Sequence, residues 1–479
     1  MNISKVSRLF EERFLSKPDF LLPLPPSGSH RRYFRVGNGN ISCIGAFNKD
    51  KKENDAFIGF ARSFFQLGLP VPEVYSYDEG KEYYLIEDLG DLALIDELEN
   101  SPTPPEKNQS LIKYYQQALS HLASFQVYGK DSIDFSLCIP RDSFDKQSML
   151  WDLYHFKYFF VKVSGIPFDE QKLEDDFNFL SGALDKVERD YFMYRDFQSR
   201  NIMIHNGSCY FIDFQGGRKG ALQYDVASIL FEAKTHLPFT LREKLLDFYL
   251  SQLEQFIPVD KKKFREDYFG FVLIRVLQAL GAYGLRGWVE KKSLFLQSIP
   301  HAVRNLEWLL SENKIHWHLP ELKRICQKFT EDKRFEPIRK SSSGKLKVEI
   351  NSFSYRKPLP DDLSGNGGGF IFDCRAINNP GLVPELRSFT GKDPEIDQFF
   401  REKSAMYEFL EETFQILSRS IEVYTSKKFE HLQVNFGCTG GRHRSVYAAE
   451  QIAGKIQRKF NVEVSVWHRE LEDIERQDP

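Results

Sequence analysis

The chain has 479 residues, 41% of them hydrophobic and 28% charged, with 65 Lys and Arg against 68 Asp and Glu and a formal net charge of −3. This is the composition of an ordinary globular protein, long enough for about three units at roughly 100–200 residues each. Its charge balance excludes a global pull towards nucleic acid or a membrane surface.

Six cysteines without paired spacing point to reduced thiols in a cytoplasmic setting. No run approaches about 18 apolar residues, so no membrane-spanning helix is expected. From the N-terminus, Lys5, Arg8, Glu11, Glu12 and Arg13 alternate with apolar residues. That pattern predicts an amphipathic helix ended near Pro18, and not a signal peptide. Pro23, Pro25 and Pro26 lead into Ser27-Gly28-Ser29-His30-Arg31-Arg32-Tyr33-Phe34-Arg35-Val36, then a break at Gly37-Asn38-Gly39-Asn40 and a second strand, Ile41 to Phe47. A Gly/Ser turn between strands can lay backbone N–H groups on phosphates, and it also serves any hairpin.

Lys49, Lys51 and Lys52 read as solvated charges. Glu53 to Leu67 has helical period, with Phe57, Phe60, Phe64 and Leu67 on one face. Pro70 to Val74 leads to a strand, Tyr83 to Glu87, and then Asp88-Leu89-Gly90-Asp91, whose aspartates suit helix caps. Residues 111–128 read as a helix, and Met149 to about Phe329 is mostly helical. The aromatic stripe Trp151 to Phe160 reads as core, and Gly281 to Trp288, with three glycines, as a helix–helix turn.

Within that helical half stand Tyr194-Arg195-Asp196-Phe197-Gln198-Ser199-Arg200-Asn201 and Tyr210-Phe211-Ile212-Asp213-Phe214-Gln215. An Asp, an Asn five residues later and an Asp on a following strand are what phosphoryl transfer asks for: one base for the acceptor hydroxyl and two magnesium ligands. The bland alternative is a hairpin with solvated carboxylates. Asp225, before an apolar helix in Tyr224-Asp225-Val226-Ala227-Ser228, weighs against it.

These segments resemble the aminoglycoside phosphotransferase superfamily, and within it the bacterial kinases of the anomeric hydroxyl of N-acetylmuramate and N-acetylglucosamine. Ser29 to Arg35 and Gln215 also resemble that subgroup, whereas Tyr194 stands where the superfamily usually has His. The resemblance implies an α+β two-lobed protein-kinase-like fold, with lobes of about 1–90 and 91–330. It implies ATP and Mg as cofactors, a sugar substrate, Asp196 as base and Asn201 and Asp213 as metal ligands. Arg195 and Asp225 would brace the loop. Gly28, Ser29, Arg31, Arg32, Glu87 and Leu89 would bind nucleotide, the last two at the hinge. The usual strand lysine, due near Ile44 to Phe47, is absent; Arg31 and Arg32 are candidates to replace it.

Residues 331–345, charged around Pro337 and ending Ser341-Ser342-Ser343-Gly344, read as a linker. Beyond it, alternating apolar positions at Leu346, Val348, Ile350, at Phe370 and Phe372, at Leu432, Val434, Phe436 and at Val462, Val464, Val466 predict strands. Helices around 394–425 and 444–460 complete a small α/β domain over 346–479. Its third strand runs into Gly437-Cys438-Thr439-Gly440-Gly441-Arg442-His443-Arg444-Ser445-Val446. This is a glycine-rich turn at a helix start with three cationic side chains, suited to an anion.

That loop, with Phe372-Asp373-Cys374-Arg375, Asn379-Pro380, Leu386-Arg387, Thr390-Gly391 and His468-Arg469, resembles the C-terminal domain of the RapZ family. The resemblance implies a phosphosugar sensor, binding of small RNAs and a homo-oligomer, with Cys438 to Ser445 holding the anion. Charge weakens the RNA part: residues 346–479 carry 18 Lys and Arg against 21 Asp and Glu, whereas RNA affinity rests on phosphate neutralisation. Cys438 and Arg444-Ser445 also fit a cysteine-phosphatase loop, and that match is confined to the loop. The expectation is a cytoplasmic sugar kinase fused to an anion-sensing domain. The alternative is a kinase fold used only as a binding scaffold.

Overall fold

Amphipathic spacing in the first residues produces α1 (Ser4–Phe14), which buries Val6, Leu9 and Phe10. The computed structural model describes residues 4–25, 31–336, 344–360, 362 and 369–471. Contacts divide it into Met1–Leu285 with Ser298–Phe335, and Arg286–Gln297 with Glu336–Pro479. In the first unit α1 packs on an antiparallel sheet of β1 (Phe20–Pro23), β2 (Arg32–Gly37), β3 (Ser42–Phe47), β4 (Val74–Tyr77) and β5 (Tyr83–Glu87), ordered β1-β2-β3-β5-β4. Strand alternation turns Val36, Cys43, Phe47 and Leu85 towards α1.

Between β3 and β4 lies α2 (Lys51–Gln66), capped by Asp50, whose carboxylate accepts from Glu53 N at 3.2 Å. Phe57, Phe60 and Phe64 are buried as expected, but Leu67 is the C-cap and 36% exposed, because Gly68 at φ +72° turns the chain away. Asp88 and Asp91 cap no helix among the described residues; the N-cap of the next one is Ala93. Arg35 of β2 donates from Nε and Nη2 to Asp88 (2.8 and 3.0 Å) and from Nη1 and Nη2 to Asp91 (3.0 and 2.9 Å), fastening β2 to the segment after β5. The acid that serves the next helix, α3 (Leu94–Glu99), is Asp96, which accepts from Ala93 N at 2.8 Å.

The helical lobe continues with α4 (Gln109–Ser132), α5 (Lys146–Phe156), α6 (Lys162–Ser164) and α7 (Glu170–Leu184). Two short antiparallel ladders follow, β6 (Tyr191–Met193) with β9 (Arg218–Gly220) and β7 (Ile202–His205) with β8 (Ser208–Phe211). Then come α8 (Leu222–Leu230), α9 (Phe239–Leu253), α10 (Lys261–Tyr283), α11 (Ile299–Ser311) and α12 (Pro320–Glu331). Phe156 and Phe160 are core, whereas Trp151 and Tyr158 are about half exposed.

The glycines at 281, 284 and 287 stand in continuous helix and do not make a turn. A Cβ on Gly284 would lie 2.1 Å from Phe159 O and one on Gly281 2.7 Å from His155 Nδ1, so both admit backbone-to-backbone packing of α10 on the α5 segment. The helical stretch Lys261–Val289 is long and apolar enough to cross a membrane by length and composition. Its most apolar window is 67% buried in the protein, as for a core helix. The stretch read as a linker is ordered to Phe335, whose ring packs on Phe160 and Phe329; residues 337–343 lie outside the described residues.

The second unit is built on a parallel sheet of β10 (Lys347–Ser354), β11 (Phe370–Asp373), β12 (His431–Cys438) and β13 (Glu463–His468), ordered β11-β12-β10-β13. The helical segment expected at 394–425 is two helices, α13 (Pro394–Lys403) and α14 (Met406–Ser426), because extended Ser404 breaks it. With α15 (Arg444–Lys459) the helices bury Phe400, Leu417, Ile421, Ile452 and Ile456 against Val348, Ile350, Val434 and Phe436.

Candidate active site and anion-binding loop

The short ladders place three polar residues together. The side-chain nitrogen of Asn201 donates to Asp196 O at 2.9 Å and to Asp213 Oδ2 at 3.3 Å, which joins the loop 194–201 to the aspartate beyond β8. Arg195 at φ +77° and Asp213 at φ +68° occupy the left-handed region without being glycine. Such backbone persists only where surrounding contacts over-determine it, and the contacts here are explicit. Asp225 accepts from Tyr194 N (2.7 Å) and Arg195 N (2.9 Å). The Arg195 guanidinium forks onto Asp152 at 2.9 and 2.8 Å and donates to Tyr224 Oη at 2.6 Å. Tyr194 Oη donates to Ile212 O at 2.6 Å, fixing the residue before Asp213, and the buried phenol is held far above its ordinary pKa and stays a donor.

Packing sets the position of Asp213. The Phe214 ring stacks on Phe57 at 5.2 Å and meets Phe64 edge-on at 5.6 Å, both on α2. Removing a buried ring costs about 3–5 kcal/mol, against about 0–1 kcal/mol for an exposed ion pair, so aromatic contacts outweigh surface charges here. Burial, followed by the charge of Asp196, raises the Asp213 pKa. Burial lifts Asp225 from 3.8 to about 7. A raised folded pKa gives stability that is complete at low pH and lost as pH climbs from about 4 through 7. The thermal midpoint is therefore expected to fall between pH 5 and pH 7.5, and Asp225→Asn to flatten that part of the profile. An equal slope in both proteins would refute this assignment.

Several site members were not legible in the sequence. Asp152 and Glu232 are two: the latter, a half-buried residue, accepts from Ser199 N at 2.9 Å and steadies the same loop from outside it. Glu53 is a third. Arg31, at the edge of β2, pairs with Glu53 of α2 at 2.6 Å and bonds Tyr33 Oη at 3.1 Å, its side chain 2% exposed. It thus lies against the α2 carboxylate, whereas Arg32 is exposed. Gly28 and Ser29 lie outside the described residues. At the hinge, Glu87 N donates to Glu73 O, and Leu89 O accepts from His205 Nδ1 at 3.1 Å.

In the second unit Cys438 ends β12 and the loop to α15 follows. Gly441, at φ +66°, donates its N–H to Cys438 Sγ at 3.2 Å, and Ser445 Oγ lies 3.1 Å from the same sulfur. A Cβ on Gly441 would meet Glu470 Cγ at 2.3 Å, so this position demands glycine. Ser354 Oγ donates to Thr439 O at 2.7 Å, and Gly440 forms the open tip.

The three expected cations separate in role. Arg442 donates to the carbonyls of Phe389 (3.0 Å) and Ser388 and braces the chain. Burial, then Arg442, lowers the His443 pKa, and its Nε2 is buried without a hydrogen-bond partner. Arg444 is anchored by Nη1 to Arg375 O and Ile377 O, both at 2.9 Å. Among the described residues its buried Nε has no hydrogen-bond partner, and Nη2 reaches Thr439 Oγ1 at 3.4 Å. The loop therefore presents one guanidinium edge and one neutral imidazole.

Residues 22–259 match the family model described as phosphotransferase enzyme family, and residues 346–472 the one described as RapZ C-terminal domain. Solved structures with a similar fold include a choline kinase from Cryptosporidium parvum (12% identity, TM-score 0.44, 64% of this chain and 93% of that one). Another is aminoglycoside phosphotransferase APH(2'')-Ib with ADP bound (14%, 0.43, 61% and 97%). Curated relatives include proteins named "Nucleotide-binding protein" from Thermotoga neapolitana (37% identical over 134 residues, 28% of this chain and 46% of that one) and Xylella fastidiosa (36% over 130 residues, 27% and 43%). The chain spans less than half the length of these relatives. The two matches lie one after the other along the sequence: a segment similar to the phosphotransferase enzyme family is followed by one similar to the RapZ C-terminal domain.

Proposed function

We propose that the first unit is an ATP- and magnesium-dependent kinase of a sugar hydroxyl, its acceptor an amino sugar. The observation that carries this is the convergence of Asp196, Asn201 and Asp213 through the Asn201 amide. The donor set suits a hard cation, which takes carboxylate and amide oxygens and completes its shell with phosphates and water. The Asp213 carboxylate, whose proton affinity is raised by burial and by the charge of Asp196, and a buried Gln215 Oε1 without a hydrogen-bond partner among the described residues fit a site built for a positive charge. Asp213 and the Asn201 oxygen would hold magnesium, which when bound neutralises charge on the transferred phosphoryl group.

Asp196 takes the acceptor's proton. Asp225, Arg195 with Asp152, and Glu232 keep the loop in place while it does so. The backbone of Glu87 and Leu89 meets the adenine edge, less the Glu87 N–H committed to Glu73 and the Leu89 carbonyl committed to His205. Support for an amino-sugar acceptor comes from Ser29 to Arg35 and Gln215, the segments that resemble amino-sugar kinases. The test is ADP release from MgATP by the full chain across a panel of sugars, with choline and an aminoglycoside as rivals. Turnover confined to choline or the aminoglycoside would overturn the sugar assignment.

For the second unit the reading is a sensor of a phosphorylated sugar or similar anion, carried by the unpartnered Nε of Arg444 beside the start of α15. Cys438 is 3% exposed and serves the turn. Cys438→Ser in the full chain is therefore expected to leave phosphosugar binding within about threefold, because each change of 1.4 kcal/mol is tenfold and one S–H contact is worth less. Phosphate release from an aryl phosphate, without ATP, is expected from neither protein. Release by the parent that vanishes in the variant would replace the sensor with a cysteine phosphatase.

A further inference from the structure

Beside the metal set, Gln215 lies two residues past Asp213 and is 8% exposed. Its side-chain nitrogen donates to Asp213 Oδ1 at 2.7 Å and lies 3.5 Å from Glu53 Oε1. Glu53 is the carboxylate paired with Arg31. A line of polar contacts thus runs from Arg31, at the edge of β2, through Glu53 of α2 and Gln215 to Asp213. Only an amide nitrogen can donate towards both carboxylates, which fixes the orientation of the group and leaves its oxygen as the buried atom without a partner.

We propose that Gln215 is a positioning residue: it holds the Asp213 carboxylate and couples it to Glu53, so that Arg31, Glu53 and Gln215 together tie α2 to the metal site. Kinases with a strand lysine require that lysine's pairing with a helix glutamate and the metal aspartate to be in place together. Here one glutamine joins the two requirements directly. The glutamine reaches about one side-chain length from main chain already fixed by Phe214, so asparagine, one methylene shorter, cannot span both carboxylates. The inference rests on Asp213 as a ligand of nucleotide-bound magnesium.

The experiment is calorimetry of the full chain with AMP-PNP, with and without Mg²⁺. Gln215→Leu is expected to lose about 10–100-fold in affinity for the magnesium complex, the usual cost of removing a group that orients a metal ligand. Its metal-free AMP-PNP affinity should be that of the parent, a readout that a merely structural defect would move as well. Should Gln215→Leu fold poorly, Gln215→Asn must show the same selective loss. Glu53→Gln with Gln215→Leu is expected to lose no more than Gln215→Leu alone, because the two act through one another. Parent-like magnesium binding by Gln215→Leu, or losses that add in the double variant, would overturn the coupling while leaving Asp213 as a ligand. A parent that binds AMP-PNP equally with and without magnesium would overturn the Asp213 assignment and the coupling with it.

Discussion

Asp196→Asn is expected to slow sugar-dependent ADP release by about 100-fold or more while leaving Mg·AMP-PNP affinity at the parent value, since loss of a general base costs about 10²–10⁴-fold. The loop does not depend on this carboxylate for its shape. Asp225, Arg195 with Asp152, and Glu232 hold the backbone on either side, and Asn201 bonds the Asp196 carbonyl, which the variant keeps. Among the described residues, the hydrogen bond to the side chain itself comes from Gln198 Nε2, at 3.4 Å. A kcat loss with the nucleotide affinity unmoved separates a base from a binding group. Parent-like turnover would remove Asp196 from the reaction.

Asp213→Ala is expected to abolish the gain in AMP-PNP affinity that magnesium confers, because magnesium sites lean on one or two carboxylates. Burial and the neighbouring Asp196 already disfavour the charged form of Asp213. Removing it relieves that repulsion, and the aromatic stack of Phe214 on α2 stays in place. The thermal midpoint at neutral pH is therefore expected to change little, so lost metal dependence reports on the site and not on unfolding. Calorimetry showing the same magnesium-dependent affinity in the variant would refute the ligand.

What could be read from the sequence was local. Asp196, Asn201 and Asp213 fall within 18 residues, and their spacing carried the assignment before any coordinates. Phe57, Phe60 and Phe64 announced the buried face of α2, and the alternation at Val348, Ile350, Val434 and Phe436 announced the second sheet. The partners across long loops were not legible. Glu53 sits in the first turn of α2, where an acid is ordinary, and nothing local ties it to Arg31 or Gln215. Asp88 and Asp91 looked like helix caps, because Arg35, the residue that claims both, precedes them by more than 50 positions.

Direction was illegible as well. Arg442, His443 and Arg444 were visible as a basic run, yet one guanidinium faces carbonyls, the imidazole is held neutral, and only Arg444 keeps an open edge. The glycines at 281 and 284 signalled a turn and serve instead as the contact surface of two helices, a use that depends on what packs against them. Tyr194 looked like a departure from the usual histidine. Its hydroxyl bonds the carbonyl ahead of Asp213, which explains why an aromatic donor stands there.

The most direct test of the central claim is a ³¹P spectrum of the full chain incubated with MgATP and N-acetylglucosamine, and separately with N-acetylmuramate. A sugar phosphate resonance growing in step with ADP is expected in at least one of the two, absent without magnesium and absent with Asp196→Asn. Intact ATP in both reactions, or ADP accompanied only by inorganic phosphate, would contradict it.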